Sequence, residues 1–328
     1  MSVSLGCSTS FGRRVAIAAL LLGTGTGLAA CSDSDEPSAT TQASAAATGG
    51  SFPVEVLSGP LDGGENVTIE ERPEAIVSIS PTATEMLFAV GAGEQVIAVD
   101  DQSDFPTDAP VTDLSGFEPN VEAILGYSPD LVLTSNEDPE LVSALDTAGV
   151  TTLVLPAAQD LEEAYSQVER IGQATGQVEG ADDVVADMQT GVEKAVADAQ
   201  SSTALKYFHE LDPTLFTATS DTFIGEVYGL FGLTNIADAA AGAGDTYPQL
   251  SAEFVVQANP DLVFLADGQC CQVTPESLVT RAGWSSIKAV TNGGVHVLDE
   301  DVASRWGPRV VEFAQSVGDA ITGLNATQ

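Results

Sequence analysis

Read from the N-terminus, the chain opens with an apolar run, Val15 to Leu22, followed by Ser32 to Gly50, which has no apolar periodicity. Only from about residue 51 do short apolar runs alternate regularly with amphipathic segments. Ala75 to Ile79 (AIVSI) reads as a buried strand, Ser80-Pro81-Thr82 as the turn opening a helix over Thr84 to Val90, and Val96 to Val99 as a second strand. Pro139 to Ala148 is predicted as helix and Thr152 to Leu155 as strand. Leu205 to Phe208 then reads as strand, Phe223 to Phe231 as helix, Val295 to Leu298 as a late strand and Val310 to Thr322 as the last helix. Uniformly apolar strands alternating with helices imply parallel sheets covered on both faces, an α/β fold.

One pattern occurs twice. Val121-Glu122-Ala123-Ile124-Leu125-Gly126-Tyr127-Ser128-Pro129-Asp130-Leu131-Val132-Leu133 lies over Ala252-Glu253-Phe254-Val255-Val256-Gln257-Ala258-Asn259-Pro260-Asp261-Leu262-Val263-Phe264. Each copy opens a short helix with a glutamate, ends it with a Ser/Asn-Pro-Asp turn and continues into a buried strand. The glutamate stands seven residues before the proline both times. An acid in a first helical turn is favoured by the helix dipole, so stabilisation and function are both open for Glu122 and Glu253. Between the copies, Ala181 to Ala204 carries Val184, Met188, Val192 and Val196 among polar residues. That is one apolar stripe on a long helix. At about 1.5 Å per residue the helix reaches roughly 35 Å, enough to bridge two lobes.

The resulting partition is residues 1–30 as a signal peptide, 31–50 as a lipidated tether, 51–178 as the first lobe, 179–204 as the bridging helix and 205–328 as the second lobe. Arg13 and Arg14 precede the apolar run, which is too short for a membrane span of about 20 residues. Leu28-Ala29-Ala30-Cys31 has the form of a lipobox, with Cys31 the acylated residue. The small, polar segment after it is expected to act as a flexible tether. The expected location is therefore extracytoplasmic, lipid-anchored to the outer face of the cell membrane.

Charge narrows the partners. The chain has 48 acidic and 10 basic residues, for a net charge of −38; loss of residues 1–30 removes two arginines and no acids, giving −40. This excludes nucleic acid and anionic lipid surfaces as partners. Of the four cysteines, Cys7 leaves with the signal peptide and Cys31 takes the lipid. Cys270 and Cys271 are neighbours in an expected loop; outside the cytoplasm they form either a disulfide with each other, free thiols or intermolecular bonds.

These residues resemble the substrate-binding proteins of ABC importers that take cobalamin, ferric siderophores and haem. The resemblance runs from Phe52 to the C-terminus. It rests on Arg72 to Glu85 (RPEAIVSISPTATE), the two glutamate-to-Pro-Asp units, Tyr247 to Glu253 (YPQLSAE) and Ser304 to Arg309 (SRWGPR). It implies two lobes joined by one rigid helix and a ligand in the cleft between them. It also implies docking of Glu122 and Glu253, one per lobe, onto arginines of the permease's transmembrane subunits. The family's aromatic ligand position maps to Tyr247, and a further one to Phe216. Neighbouring loops add Phe117, Trp306, Arg305 and Arg309. Aromatic faces supply contact area and arginine forks onto carboxylate or phosphate; ordinary packing is the plain alternative for Phe117 and Trp306. Where cobalamin binders of the family often place aromatic residues, this chain has Gln102 and Ser135, which sets a ferric siderophore ahead of cobalamin.

The expected protein is a monomeric binding component with no resident cofactor or metal and no catalytic residue. A receptor for free zinc or manganese would need a histidine-rich cluster, and this chain has only His209 and His296. Haem is the other alternative ligand. No G-x-S-x-G elbow, P-loop or His-Glu-x-x-His is present, so nothing marks an enzyme.

Overall fold

The alternation of apolar strands and capped helices resolves into two sheets of identical topology. The computed structural model describes residues 50–199 and 204–327; the lipobox with Cys31 and most of the tether lie outside them. In the first half a hairpin of β1 (Val54–Ser58) and β2 (Glu65–Ile69) precedes β3 (Ile76–Ile79), α1 (Pro81–Ala89), β4 (Val96–Val99), α2 (Val121–Leu125), β5 (Leu131–Thr134), α3 (Pro139–Thr147), β6 (Thr151–Val154) and α4 (Leu161–Thr175). Then come α5 (Val178–Asp198), β7 (Lys206–Glu210), α6 (Phe223–Leu230), β8 (Thr234–Asn235), α7 (Ala252–Ala258), β9 (Leu262–Leu265), α8 (Gly268–Cys271), α9 (Pro275–Val279), α10 (Lys288–Thr291), β10 (Val295–Val297), α11 (Glu300–Ser304) and α12 (Val310–Thr327).

The two four-stranded sheets run β4-β3-β5-β6 and β8-β7-β9-β10, each wholly parallel. In each the first strand of the sheet lies between the second and the third. The repeated sequence supplies the third strand both times. Its alternate residues enter different cores: Leu131 and Leu133, like Leu262 and Phe264, face one extended core shared by both lobes. Val132 faces a second cluster with Ile124 and Leu145, and Val263 a third with Val255 and Trp284. Burial on both faces is why these strands are apolar throughout.

The Ser/Asn-Pro-Asp turn has the same local geometry in both copies. The residue before each proline, Ser128 (φ 56°) three positions past α2 and Asn259 (φ 51°) as the C-cap of α7, lies in the left-handed region, which asparagine tolerates better than most residues. The aspartate after the proline then pins the first strand of its own sheet. Asp130 accepts from the backbone N–H groups of Glu74 (2.8 Å) and Ala75 (3.1 Å), and Asp261 accepts from Lys206 N (3.0 Å).

The bridge is α5. It starts two residues after Gly176, whose φ of 72° turns the chain back from α4, and its 21 residues span about 31 Å. The helix ends at Asp198 rather than at Ala204. Its buried stripe is Ala181, Val185, Met188, Val192 and Ala195, so Val184 and Val196 stand at the stripe's margin. The next positions at helical spacing after Ala199 are Ser202 and Thr203, and with no apolar residue there the stripe has run out. α5 packs against α4 on one side and α12 on the other, which draws both lobes into one continuous core. Gly172 of α4 meets Ala181 of α5 closely enough that a Cβ at this glycine would collide with it.

Interlobe cleft and candidate site

A cleft of about 840 Å³, measured out to its open mouth, lies at the C-terminal ends of the first sheet's strands. Ile79 to Thr82 follow β3, Asp100 and Gln102 follow β4, and Ser135 follows β5; Gly116 and Phe117 close one side. The opposite wall comes from the far end of the chain: Asp301 and Ser304 of α11, then Arg305 and Trp306. This is the crevice beside the switch point of an open parallel sheet, where such folds bind ligands. Gln102 and Ser135 both line it.

Phe117 is 85 % exposed, a cost in apolar surface that a ligand would remove. Trp306 is half-buried and donates from Nε1 to Gln167 Oε1 of α4 at 2.8 Å, which fixes its ring at the cleft wall. Burial pushes the carboxyls of Asp100 and Asp301 above the ordinary range; a hydrogen bond from Ser103 opposes this at Asp100, and the charge of Arg305 does so at Asp301.

The two arginines are engaged within the protein. Arg305 Nη1 lies 2.8 Å from Glu85 Oε1, and its Nη2 reaches Asp301 (2.7 Å) and the carbonyl of Gln102 (3.0 Å); Asp104 adds a longer contact at 3.2 Å. Arg309 forks onto the same carboxylate, Nε to Oε2 at 3.0 Å and Nη2 to Oε1 at 2.5 Å, and stacks over Phe105. Arg305 lines the cleft, whereas Arg309 lines a neighbouring pocket with Phe88, Phe105 and Pro308. Sequence reading missed the centre of this network, Glu85. It stands among Met86, Leu87 and Phe88 in a helix whose face is wholly buried, in a chain with few bases; an acid so placed requires a basic partner.

Tyr247 and Phe216 sit on the second lobe, 50 % and 40 % exposed, and do not line this cavity. They belong to one two-stranded ladder: Phe216 bridges to Gln249, and Thr217 N donates to the carbonyl of Pro248 at 3.1 Å. Phe216 follows β7, the counterpart of β3, so the ladder occupies the strand-end side of the second sheet.

Glu122 and Glu253 occupy matching places, each the second residue of its helix in the first turn of α2 and α7, and both are exposed. Neither caps its helix. Asn120 accepts from Ala123 N and Ser251 from Phe254 N, so the capping task belongs to the residues before them. Among the described residues neither glutamate side chain has a hydrogen bond or ion pair. The Pro-Asp half of the repeat has a structural task and the glutamate half has only its dipole contribution.

His209 lies fully inside the core, with Nδ1 2.8 Å from the Tyr228 hydroxyl, and burial pushes its pKa down to about 3. Glu210 beside it is locked in a bidentate pair with Arg281, both contacts 2.6 Å. Among the described residues no group of three or more His, Cys, Asp or Glu side chains is placed to hold a metal ion.

Behind Glu210 lies Asp267, buried, with neither carboxylate oxygen hydrogen-bonded. Desolvation first, then the charge of Glu210, raises its pKa to about 7. A pKa raised in the folded state adds stability at low pH that is lost as pH climbs from the ordinary 3.8 through about 7. The wild-type melting temperature is therefore expected to fall between pH 5 and pH 8. Asp267→Asn should reduce that fall and melt higher than wild type at pH 8, Asp100 and Asp301 retaining part of the slope. An equal fall in both proteins would refute the assignment.

Two α/β lobes of one topology, a single connecting helix and a strand-end cleft define the class, and the chain belongs to the periplasmic binding protein family, whose family model matches residues 76–302. YvrC, an uncharacterized ABC transporter substrate-binding lipoprotein of Bacillus subtilis, is 30 % identical over 267 residues, covering 78 % of this chain and 82 % of YvrC. A cobalamin-binding protein of Halobacterium salinarum is 30 % identical over 260 residues, covering 75 % of this chain and 69 % of that protein. The crystal structure of the periplasmic vitamin B12 binding protein BtuF of Vibrio cholerae superposes with a TM-score of 0.62 at 25 % identity, covering 78 % of this chain and 98 % of BtuF. The family is one of binding proteins, not enzymes. Among the described residues no helix is long and apolar enough to cross a membrane.

Proposed function

We propose that this chain is the binding component of an ABC importer for a metal chelate, anchored at the outer face of the cell membrane through Cys31 and acting as a monomer. The observation that carries the reading is the cleft itself, in which the exposed Phe117 and the half-buried Trp306 stand among polar groups at the strand ends. Small-molecule sites have this composition, apolar contact surface with a few placed polar groups. The relatives' names bring cobalamin forward as the first ligand. A ferric siderophore is the second reading, favoured by the polar Gln102 and Ser135 in the lining. Haem has less support, since among the described residues no His, Cys, Met or Tyr lines the cavity to ligate its iron. Free zinc or manganese fits no better, with His209 in the core.

The mechanism is capture with little closure. One stiff helix and a shared core join the lobes, and the Glu85 network ties the wall formed by Arg305 and Trp306 to α1 and the loop after β4. The loaded lobes then present Glu122 and Glu253 to the transmembrane subunits, where charge complementarity sets register and encounter rate.

Trp306 reports on the cleft, because the other tryptophan, Trp284, is fully buried. Titration of the purified protein with cyanocobalamin should quench Trp306 emission to saturation at one site. Phe117→Ala is expected to weaken binding about tenfold or more, as loss of a large aromatic contact does. Unchanged affinity in that variant would place the ligand elsewhere.

A further inference from the structure

Cys270 and Cys271 are joined as a disulfide between neighbours, in the short helix α8 and not in an open loop. Such a bond does little for stability. A cross-link stabilises by closing a loop in the unfolded chain, and the effect shrinks with the number of residues enclosed; here the sequence separation is 1. Nor is the pair packed into a core, since both residues are exposed.

Two independent observations place the pair beside the cleft, next to the wall rather than among the residues that line the cavity. The first is the repeat. β5 and β9 are the third strands of sheets with the same order, and Ser135, just past β5, lines the cleft. Its counterpart past β9 is Ala266, so Asp267 to Cys271 leave the second sheet at the matching strand end. The second is direct contact. Glu300 Oε1 accepts from the backbone N–H groups of Gln269 (2.5 Å) and Cys270 (2.8 Å). Glu300 begins α11, the helix whose Asp301 and Ser304 form the cleft wall. The disulfide is therefore held by the element that carries the wall. Asp267, at the start of α8, does not cap it, and Glu300 from α11 satisfies the free N–H groups instead.

We propose that the Cys270–Cys271 disulfide is a ligand-contact platform on the second lobe, a polarisable sulfur surface that takes a flat conjugated face of the bound chelate. The inference rests on the chelate reading above. The chemistry suits such a face: a disulfide offers no hydrogen-bond donor, and sulfur packs favourably against π-systems. An oxidising extracytoplasmic location keeps the bond formed.

The test compares wild type with the double variant Cys270→Ser/Cys271→Ser, titrated with cyanocobalamin and with a ferric catecholate, chelates that carry conjugated rings. The expected result is a melting temperature within a few degrees of wild type and affinity weakened about fivefold or more, the scale of sulfur–π contacts. A second measurement needs no variant: saturating chelate should slow reduction of the wild-type disulfide by dithiothreitol severalfold, read by thiol labelling. Affinity within twofold of wild type, or a reduction rate indifferent to bound chelate, overturns the platform while leaving the chelate reading intact. A wild-type protein that binds neither chelate overturns both.

Discussion

Replacing Glu122 and Glu253 together by lysine is expected to abolish chelate uptake in cells while leaving binding by the purified protein within about twofold of wild type. The expectation comes from separating the two halves of the repeat. Asp130 and Asp261 hold the first strands of their sheets, and Ser128 and Asn259 make the left-handed turns before them. The glutamates lie outside this machinery: exposed, uncapping and without a side-chain partner among the described residues. What folding loses on reversal is the dipole contribution, about 0.3–1 kcal/mol for each helix, so the variant should stay folded. A pair of like charges, one per lobe and in matching places, suits a partner that reads both lobes together. Each single reversal should therefore reduce uptake severely. Undiminished uptake in the double variant, or a parallel loss of binding, would end the docking role.

Glu85→Gln is the second large expected effect, this time on stability. Glu85 is 3 % exposed and balances two guanidinium groups that are themselves largely buried. Removing its charge leaves Arg305 and Arg309 desolvated without their shared partner, and breaking a buried ion pair costs about 3–5 kcal/mol. The melting temperature should drop on the order of 10 °C. Ligand affinity should fall as well, because Arg305 also holds the Gln102 carbonyl at the cleft. Asp198→Asn, which removes the exposed i,i+4 partner of Lys194, serves as the control and should change stability by less than about 1 kcal/mol. If Glu85→Gln melts within 2 °C or so of wild type, the network does not anchor the wall.

Most of the sheet strands were readable because parallel strands buried on both faces are apolar without interruption, as in AIVSI and the two repeat copies, whereas the two polar residues of β8 gave no such run. The β1–β2 hairpin was not, since its alternation is weak and only Val56 and Ile69 enter the core. α4 escaped for a different reason. Its inward face includes Glu163, Gln167 and Arg170, which blur the apolar stripe made by Leu161, Ala164, Val168 and Ile171. Those polar groups have partners far along the chain: Arg170 donates to the Gly59 carbonyl at 2.7 Å, and Gln167 accepts from Trp306.

The site shows the same division. Phe117, Arg305 and Trp306 were legible as aromatic and basic residues in loops next to the ligand positions that the resemblance implies, and the structure brings them to one cavity. Arg309 turns away from it to Glu85, and Tyr247 and Phe216 stand on a separate ladder. Pairings between residues more than two hundred positions apart, such as Glu85 with Arg305, leave no periodic trace in a single sequence.

The central claim is capture of an intact metal chelate, and calorimetric titration of the purified protein tests it most directly. The panel holds cyanocobalamin, ferric hydroxamate and catecholate siderophores, haemin, and zinc and manganese salts. The expected result is saturable binding of one intact chelate per chain, cyanocobalamin first, and no response to the free ions. Binding of zinc or manganese alone, with every chelate silent, would contradict it.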